Sequence, residues 1–390
     1  MLPIVILAVP GSRLSTSRRR RRHVSPRLIW GPVPIIAIKY WSLALRARGY
    51  QSQTCVHSFY AINERADFDL HYDEFLPRGI VFEPFRAYLV FLRVLRDADV
   101  YLSYFDGGFL ADTALRRLEL PLLRLAGKRI IVSPYGSDIA VPGHLAVAEE
   151  ALLRDYPEFA ANGDRVRRRV ESFARWANLI VRNYQYGYLP RWDVLWPTQI
   201  AIDAEQWRPA GKLGDADVHG GEAVVVHASN HRNIKGTDGL IEVVEELRGD
   251  GVPVRLELVE RRPNAEVRAA VLASDIVAEQ FIAGYALFAI EGMAAARPVL
   301  SALDWLPADV REDLTRRGLP IVDTDLGTLK ANLRALIEDP ARRKTLGEAG
   351  RRFVLENHSY DAVGATWEAI IEHVWSGAPL PAELAPAAGC

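Results

Sequence analysis

The sequence predicts an α/β protein built from two parallel-sheet units. Apolar strand-like runs alternate with helix-like stretches along almost all of its 390 residues, the pattern of strands joined by helical crossovers. The length suits two or three domains at roughly 100–200 residues each. One glycine-rich, charged segment, residues 208–221, separates two such alternating series.

In the first half the expected order is strand 4–9, helix 35–48 ended by Gly49, then strands 53–59, 100–104 and 129–133. Residues 1–9 are apolar, and Pro3 and Pro10 bracket a piece short enough for one buried strand. The basic run Arg18, Arg19, Arg20, Arg21, Arg22 follows that stretch, whereas a secretory signal puts its charge first. Arg93, Arg96, Asp97 and Asp99 interrupt the apolar stretch 88–104, which reads as an amphipathic helix running into a strand. No run approaches the ~18 apolar residues of a spanning helix. A helix through 165–177 leads to a short strand at 179–182.

The second half restarts at the valine-rich strand 223–228. Helix 237–247, strand 254–259, helix 265–272, strand 275–278, helix 286–295 and strands 298–302 and 319–322 follow. Helices 329–338, 341–356 and 361–374 close the chain, with Pro340 suited to a first helical turn. The expected domains are 1–207, a linker 208–221, and 222–358. Residues 359–375 are expected to form a closing helix that crosses back to the first domain, and the Ala/Pro/Gly-rich tail 376–390 to be disordered.

Basic and acidic residues number 48 and 49, a net charge of −1, so no global field draws the protein to nucleic acid or anionic membrane. Cys55 and Cys390 are too few for a disulfide framework, which fits a reducing, cytoplasmic compartment. Only six of the 48 basic residues are lysine. Compositional bias explains that scarcity, and it also makes each lysine in a chemical context more informative. Asp-x-Asp occurs at 67–69, 97–99, 215–217 and 323–325, scattered enough to carry no metal site. There is no phosphate-binding Walker loop, nucleophile elbow or His-Glu-x-x-His motif.

Two constellations carry chemistry. His227-Ala-Ser-Asn-His-Arg-Asn-Ile-Lys-Gly236-Thr-Asp238 leaves a strand, turns and enters a helix that Thr237 or Asp238 can cap. Helix amides, with Arg232 and Lys235 beside them, suit a diphosphate; the alternative is two solvated cations on a loop. The second constellation runs from Glu279 through Gly284, Tyr285, Ala286 and Leu287 to Glu291 and Arg297. Exposed amides are expected at Tyr285, Ala286 and Leu287. Glu291 sits on an otherwise apolar helix and needs partners if buried. Two ribose hydroxyls or a salt bridge to Arg297 would serve.

The stretch 230–300 resembles the donor domain of retaining, family 4-type nucleotide-sugar glycosyltransferases of the GT-B fold. The matching pieces are Arg232, Lys235 and Gly236, the strand 278–281, and Ala-Ile-Glu-Gly-Met-Ala-Ala-Ala-Arg-Pro-Val at 289–299. Residues 340–356, 202–209, 135–138 and 31–49 are similar to other parts of the family, with Tyr135 where many members have histidine. The resemblance implies two Rossmann-like parallel-sheet domains facing across a cleft, and sugar transfer with retention and without a metal or cofactor. The implied donor is a UDP- or GDP-type nucleotide sugar. It places Arg232 and Lys235 on the diphosphate, Glu291 on the ribose, and Gly31 and Tyr135 on the acceptor side, where Asp106 joins them by its position after a first-half strand. Asp138 and Glu279 are the catalytic candidates, although Asp106 and Asp138 also suit turn capping.

The family's first motif glutamate falls on Ala283, and Glu279, four residues earlier, would substitute. Ala286 stands where glycine is usual. A nucleotide-binding relative without turnover and a nucleotide-sugar epimerase are the alternatives. The implied acceptor is a glycan, a lipid-linked molecule or a small molecule. Arg18–Arg22 read as a solvated, mobile loop, or as a peripheral contact with anionic lipid at the inner membrane face; no nucleic-acid fold accompanies them.

Overall fold

The computed structural model describes residues 2–60, 63–76, 83–145, 149–185, 187–209, 221–229, 232–282 and 284–384. The chain divides into two compact units, one of residues 1–144, 159–197 and 363–390, the other of 145–158 and 198–362. Residues 210–220 of the expected linker lie outside the described set, as does Ala283.

Through the first series the elements are α1 (Leu2–Arg21), β1 (Leu28–Trp30), α2 (Ala37–Ala47), β2 (Ser52–Val56), β3 (Leu70–His71), α3 (Glu83–Asp97), β4 (Val100–Ser103), α4 (Glu119–Leu125), β5 (Arg129–Val132), α5 (Glu149–Asp155), α6 (Pro157–Trp176), β6 (Leu179–Arg182) and β7 (Val194–Leu195). The second series is β8 (Ala223–Ser229), α7 (Arg232–Lys235), α8 (Thr237–Gly249), β9 (Val254–Glu260), α9 (Asn264–Ala273), β10 (Ile276–Ala278), α10 (Leu287–Ala294), β11 (Val299–Ser301), α11 (Ala308–Arg316), β12 (Val322–Asp323), α12 (Leu329–Glu338), α13 (Pro340–Asn357) and α14 (Tyr360–Ser376).

Among the described residues the first sheet runs β3-β2-β1-β4-β5-β6-β7 and the second β12-β11-β10-β8-β9. Their strand pairs are parallel. Parallel sheets need apolar strands because helices cover both faces: Val224, Val225 and Val226 of β8 are fully buried. Strand order reverses between β1 and β4 in one sheet and between β8 and β10 in the other. Ligands in open parallel sheets bind beyond the carboxyl ends of the strands at such reversals.

Residues 4–9 are not a strand. They lie in α1, and β1 is instead Leu28–Trp30, which the sequence reading passed over. A short apolar run has no period that separates strand from buried helix, and here tertiary partners decide. Val5, Ser12 and Thr16 turn inward on one face. Ser12 Oγ donates to the Leu95 carbonyl at 2.6 Å, and the buried Lys128 ammonium donates to Thr16 Oγ1 at 2.9 Å.

The expected arginine loop is likewise the last turn of α1 and the residue after it. Arg19 pairs with the buried Asp99 at 3.0 Å, Arg27 grips the same carboxylate at 2.9 and 3.1 Å, and Arg20 donates to the Trp375 carbonyl at 2.6 Å. Asp97 pairs with Arg93 and Arg96, Asp67 with Lys39, and Asp323 with Arg311. Most of the described Asp-x-Asp carboxylates are therefore engaged by cations.

In the first unit, Trp367 of α14 meets Trp30, Trp41 and Trp196 at ring separations of 5.1, 5.2 and 5.3 Å. Beyond α14, Leu384 in a short turn is again buried. The second unit has its own core, in which Val225, Leu240, Ile276, Leu300 and Leu333 pack together.

Candidate functional site

The β8–β10 reversal brings the two sequence constellations together. After β8 the chain enters the single turn α7, and Gly236, at φ 71°, then starts α8. A Cβ at Gly236 would stand 3.2 Å from Leu326 and 3.4 Å from Phe281, so the left-handed backbone and the tight space both favour glycine. Lys235 leaves this turn with its carbonyl accepting from the Phe281 amide at 3.1 Å, which ties it to the loop following β10.

Lys235 Nζ donates to Glu279 Oε1 at 2.9 Å and lies 5.3 Å from the Phe288 ring centre. Glu279 has no solvent exposure, and its Oε2 is buried without a hydrogen-bond partner. An unsatisfied buried acceptor is expensive unless something supplies a proton. Glu291, buried on α10, accepts from Asn264 Nδ2 at 3.1 Å. Burial pushes its carboxyl up to about 8; the Asn264 hydrogen bond opposes this and the Glu279 charge adds to it. Arg297, the alternative partner for Glu291, donates instead to the Leu272 carbonyl at 2.7 Å.

The loop before α10 differs from expectation at Tyr285. Its side chain is fully buried, φ is 60°, and its amide donates to Ser301 Oγ at 3.2 Å, so it is not an exposed anion-binding amide. The phenol donates to His358 Nε2 at 2.7 Å while His358 Nδ1 donates to the Ile200 carbonyl at 2.7 Å. These bonds seat the loop against His358 and β11. Ala286 and Leu287 are partly exposed, and no side chain caps α10 there.

His227 shows the same logic beneath the first turn. Its two ring nitrogens meet the Ala278 carbonyl and Thr237 Oγ1 at 2.8 Å each, and burial lowers its pKa to about 4. The neutral ring links β10 to the start of α8. Thr237 thus bonds inward and gives α8 no side-chain cap.

Arg232 stands apart from that cluster. Its guanidinium is held by Glu260 at 2.7 and 3.0 Å and by Asp238 at 3.1 Å, and the side chain is 45% exposed. Two carboxylates therefore already match its charge.

In the first unit, Asp106 follows β4 and Tyr135 follows β5. Tyr135 OH donates to Asp106 Oδ2 at 2.9 Å, and Arg169 of α6 pairs with Oδ1 at 2.7 Å. The nearby Tyr104 ring lies edge-on to Tyr135 at 5.2 Å. Asp138 is fully buried, and its two oxygens accept from the Phe105 amide at 3.0 Å and from the Tyr135 and Gly136 amides at 2.9 Å each. Burial raises its pKa to about 7 against the pull of those donors. Backbone amides engage both oxygens, so Asp138 staples two loops together.

Gly31 has a steric role, since a Cβ would stand 2.0 Å from the Cys55 carbonyl oxygen. Sequence reading missed Asn264, Arg169 and His57. Asn264 and His57 each lie just past the carboxyl end of a parallel strand, which was the available signal. His57 is within electrostatic reach of Asp106 and Asp112, and burial lowers its pKa. Among the described residues no His, Cys, Asp or Glu group is arranged to hold a metal ion, and no helix is long and apolar enough to cross a membrane.

No protein-family model matches the chain, and no curated protein does. Solved structures do. Sucrose-phosphate synthase from Thermosynechococcus elongatus is 12% identical at a TM-score of 0.56, over 91% of this chain and all of that one. HepE from Anabaena, solved with UDP-glucose, is 13% identical at 0.55, over 90% and 100%. The catalytic domain of starch synthase IV from Arabidopsis thaliana, bound to ADP and acarbose, is 10% identical at 0.55, over 90% and 100%. A putative UDP-N-acetylglucosamine 2-epimerase from Listeria monocytogenes is 11% identical at 0.52, over 93% and 100%. With its two parallel α/β sheets and these likenesses, the chain has the GT-B fold.

Proposed function

We propose that this protein transfers a sugar from a nucleoside diphosphate sugar to an acceptor, with retention and without a metal. The observation that carries the reading is Glu279: a buried carboxylate with one oxygen on Lys235 and the other unsatisfied, at the strand-order reversal of the second sheet. A sugar hydroxyl would satisfy Oε2. The uncapped first turn of α10 supplies positive potential for a diphosphate leaving group, and Lys235, whose ammonium has donors beyond the one on Glu279, can hydrogen-bond a phosphate oxygen there. Glu291, which holds its proton near neutral pH, can both accept from and donate to ribose hydroxyls. Arg232 would join the diphosphate only by exchanging Glu260 and Asp238 for it.

On the first unit, Asp106 is the acceptor-side carboxylate, oriented by Tyr135 and Arg169. UDP or GDP sugars are the proposed donors, HepE being a structural neighbour solved with UDP-glucose. The acceptor is a glycan, a lipid-linked molecule or a small molecule, and the compartment is the cytoplasm.

The test is a panel of UDP-, GDP- and ADP-sugars, read as nucleoside diphosphate binding and acceptor-dependent release. Binding of at least one nucleotide that Lys235→Ala weakens, with turnover that needs an acceptor, supports the reading. Wild-type affinity in Lys235→Ala removes the assigned site. The epimerase likeness supports a second reading, in which a nucleotide sugar changes configuration with no acceptor present; product analysis of acceptor-free reactions separates the two.

A further inference from the structure

The outward side of α1 changes character along its length. Ile4, Ile6, Leu7 and Leu14 are 53, 51, 78 and 70% exposed. Arg18, Arg21 and Arg22 follow, all exposed. The first acidic residue of the chain is Glu64, so no neighbouring carboxylate in sequence offsets these charges. Asp99 engages the inward Arg19.

The helix α4, packed against α1, extends the same character. Leu118 and Leu125 are 44 and 55% exposed, and their spacing of seven places them on one helical face. Arg129 is partly buried, its Nε has no hydrogen-bond partner, and the Arg20 and Arg124 charges act on it with the same sign. Arg20 and Arg124 therefore each repel Arg129 beside exposed leucines. Between α1 and α3 lies a groove of about 650 Å³ lined by Ala8, Gly11, Phe75, Leu89 and Leu92.

We propose that this face docks on an anionic lipid bilayer: the amino-terminal half of α1 enters the headgroup–acyl boundary while Arg18, Arg21, Arg22 and Arg124 meet lipid phosphates. Apolar residues beside a basic collar are what an interfacial helix uses. A second copy of the chain is the poorer occupant, because a two-fold contact through one patch would bring like arginines together. A nucleic acid would leave Leu7 and Leu14 in water. The docking is independent of the transfer reaction.

The experiment is co-sedimentation of the full chain with phosphatidylcholine vesicles and with vesicles containing phosphatidylglycerol. Wild type is expected to bind the anionic vesicles, and Arg18→Gln/Arg21→Gln/Arg22→Gln to weaken that binding about a hundredfold at low salt. Leu7→Ser/Leu14→Ser is expected to abolish the part of the binding that survives high salt, since salt screens only the charge contribution. Both variants alter exposed residues, and unchanged melting shows that each is folded. Equal partition of wild type to both vesicle types overturns the proposal, as does wild-type binding by either variant. So does a wild-type dimer in solution that Leu7→Ser/Leu14→Ser converts to monomer, because a second copy then covers the face.

Discussion

Lys235 and Glu279 are 44 residues apart and form one ion pair, with Lys235 18% exposed and Glu279 fully enclosed. The unsatisfied oxygen separates a chemical role from a structural one. Glu279→Gln keeps the shape and one acceptor but removes the charge. Turnover is expected to fall about a hundredfold or more while nucleoside diphosphate affinity changes little. Steady-state kinetics and calorimetry on the same variant check this; unchanged kcat would make Glu279 a packing residue.

Glu291 makes a different prediction. Burial pushes its folded pKa up to about 8, well above the ordinary glutamate range, so the folded state binds the proton more tightly. Its contribution to stability is complete below the unfolded pKa and is lost as pH rises toward about 8, at most about 1.4 kcal/mol per pH unit for one proton. Glu291→Gln cannot ionise. Denaturant unfolding between pH 6 and 8 should therefore show the variant gaining on wild type as pH rises, and parallel curves would contradict the assignment. The turn at 232–236 and the helix within 289–299 were legible as a loop and a helix following strands, as the local order of loop and helix is written in consecutive residues. Which cation Glu279 meets, and that Arg232 turns to Glu260, depends on side chains distant in sequence.

At the scale of elements, α1 shows how far a local pattern reaches. Its apolar run suits a strand as well as a helix, and the inward face has periodicity only once Ser12 and Thr16 are counted with Val5. The decisive partners are Leu95, Asp99 and Lys128, 83 or more residues away. Asp99 gathers Arg19, Arg27 and Thr16, so Asp99→Ala leaves two half-buried guanidinium groups without their shared, fully buried carboxylate. A loss of about 3 kcal/mol is expected, read by urea unfolding, with faster hydrogen exchange in α1; a loss under about 1 kcal/mol would mean that the network is replaceable. In the same unit, α14 is anchored by Trp367 among three other tryptophans. Trp367→Ala is expected to cost about 3–5 kcal/mol, measured the same way. A helix at 361–374 was visible in sequence, but not the tryptophans that would receive it.

For the whole molecule, two units with separate cores predict two melting transitions. The residues assigned to the nucleotide all lie in the unit containing 198–362. A nucleoside diphosphate at about a hundred times its Kd should stabilise that unit by about 2.7 kcal/mol and raise one transition. Calorimetry that shows both transitions moving equally would assign nucleotide contacts to the first unit as well.

The alternation of strands and helices, the parallel α/β class and the two motif segments were determined by the sequence, because the preference of a residue for burial and for a turn is local. The tertiary structure alone decided that residues 2–21 are helix, that the Tyr285 amide is consumed by Ser301, that Asp138 is a staple, and that Lys235 belongs to Glu279. Each of these turns on the environment that a distant segment supplies. Burial there decides whether a charge is solvated or must find its partner inside the fold.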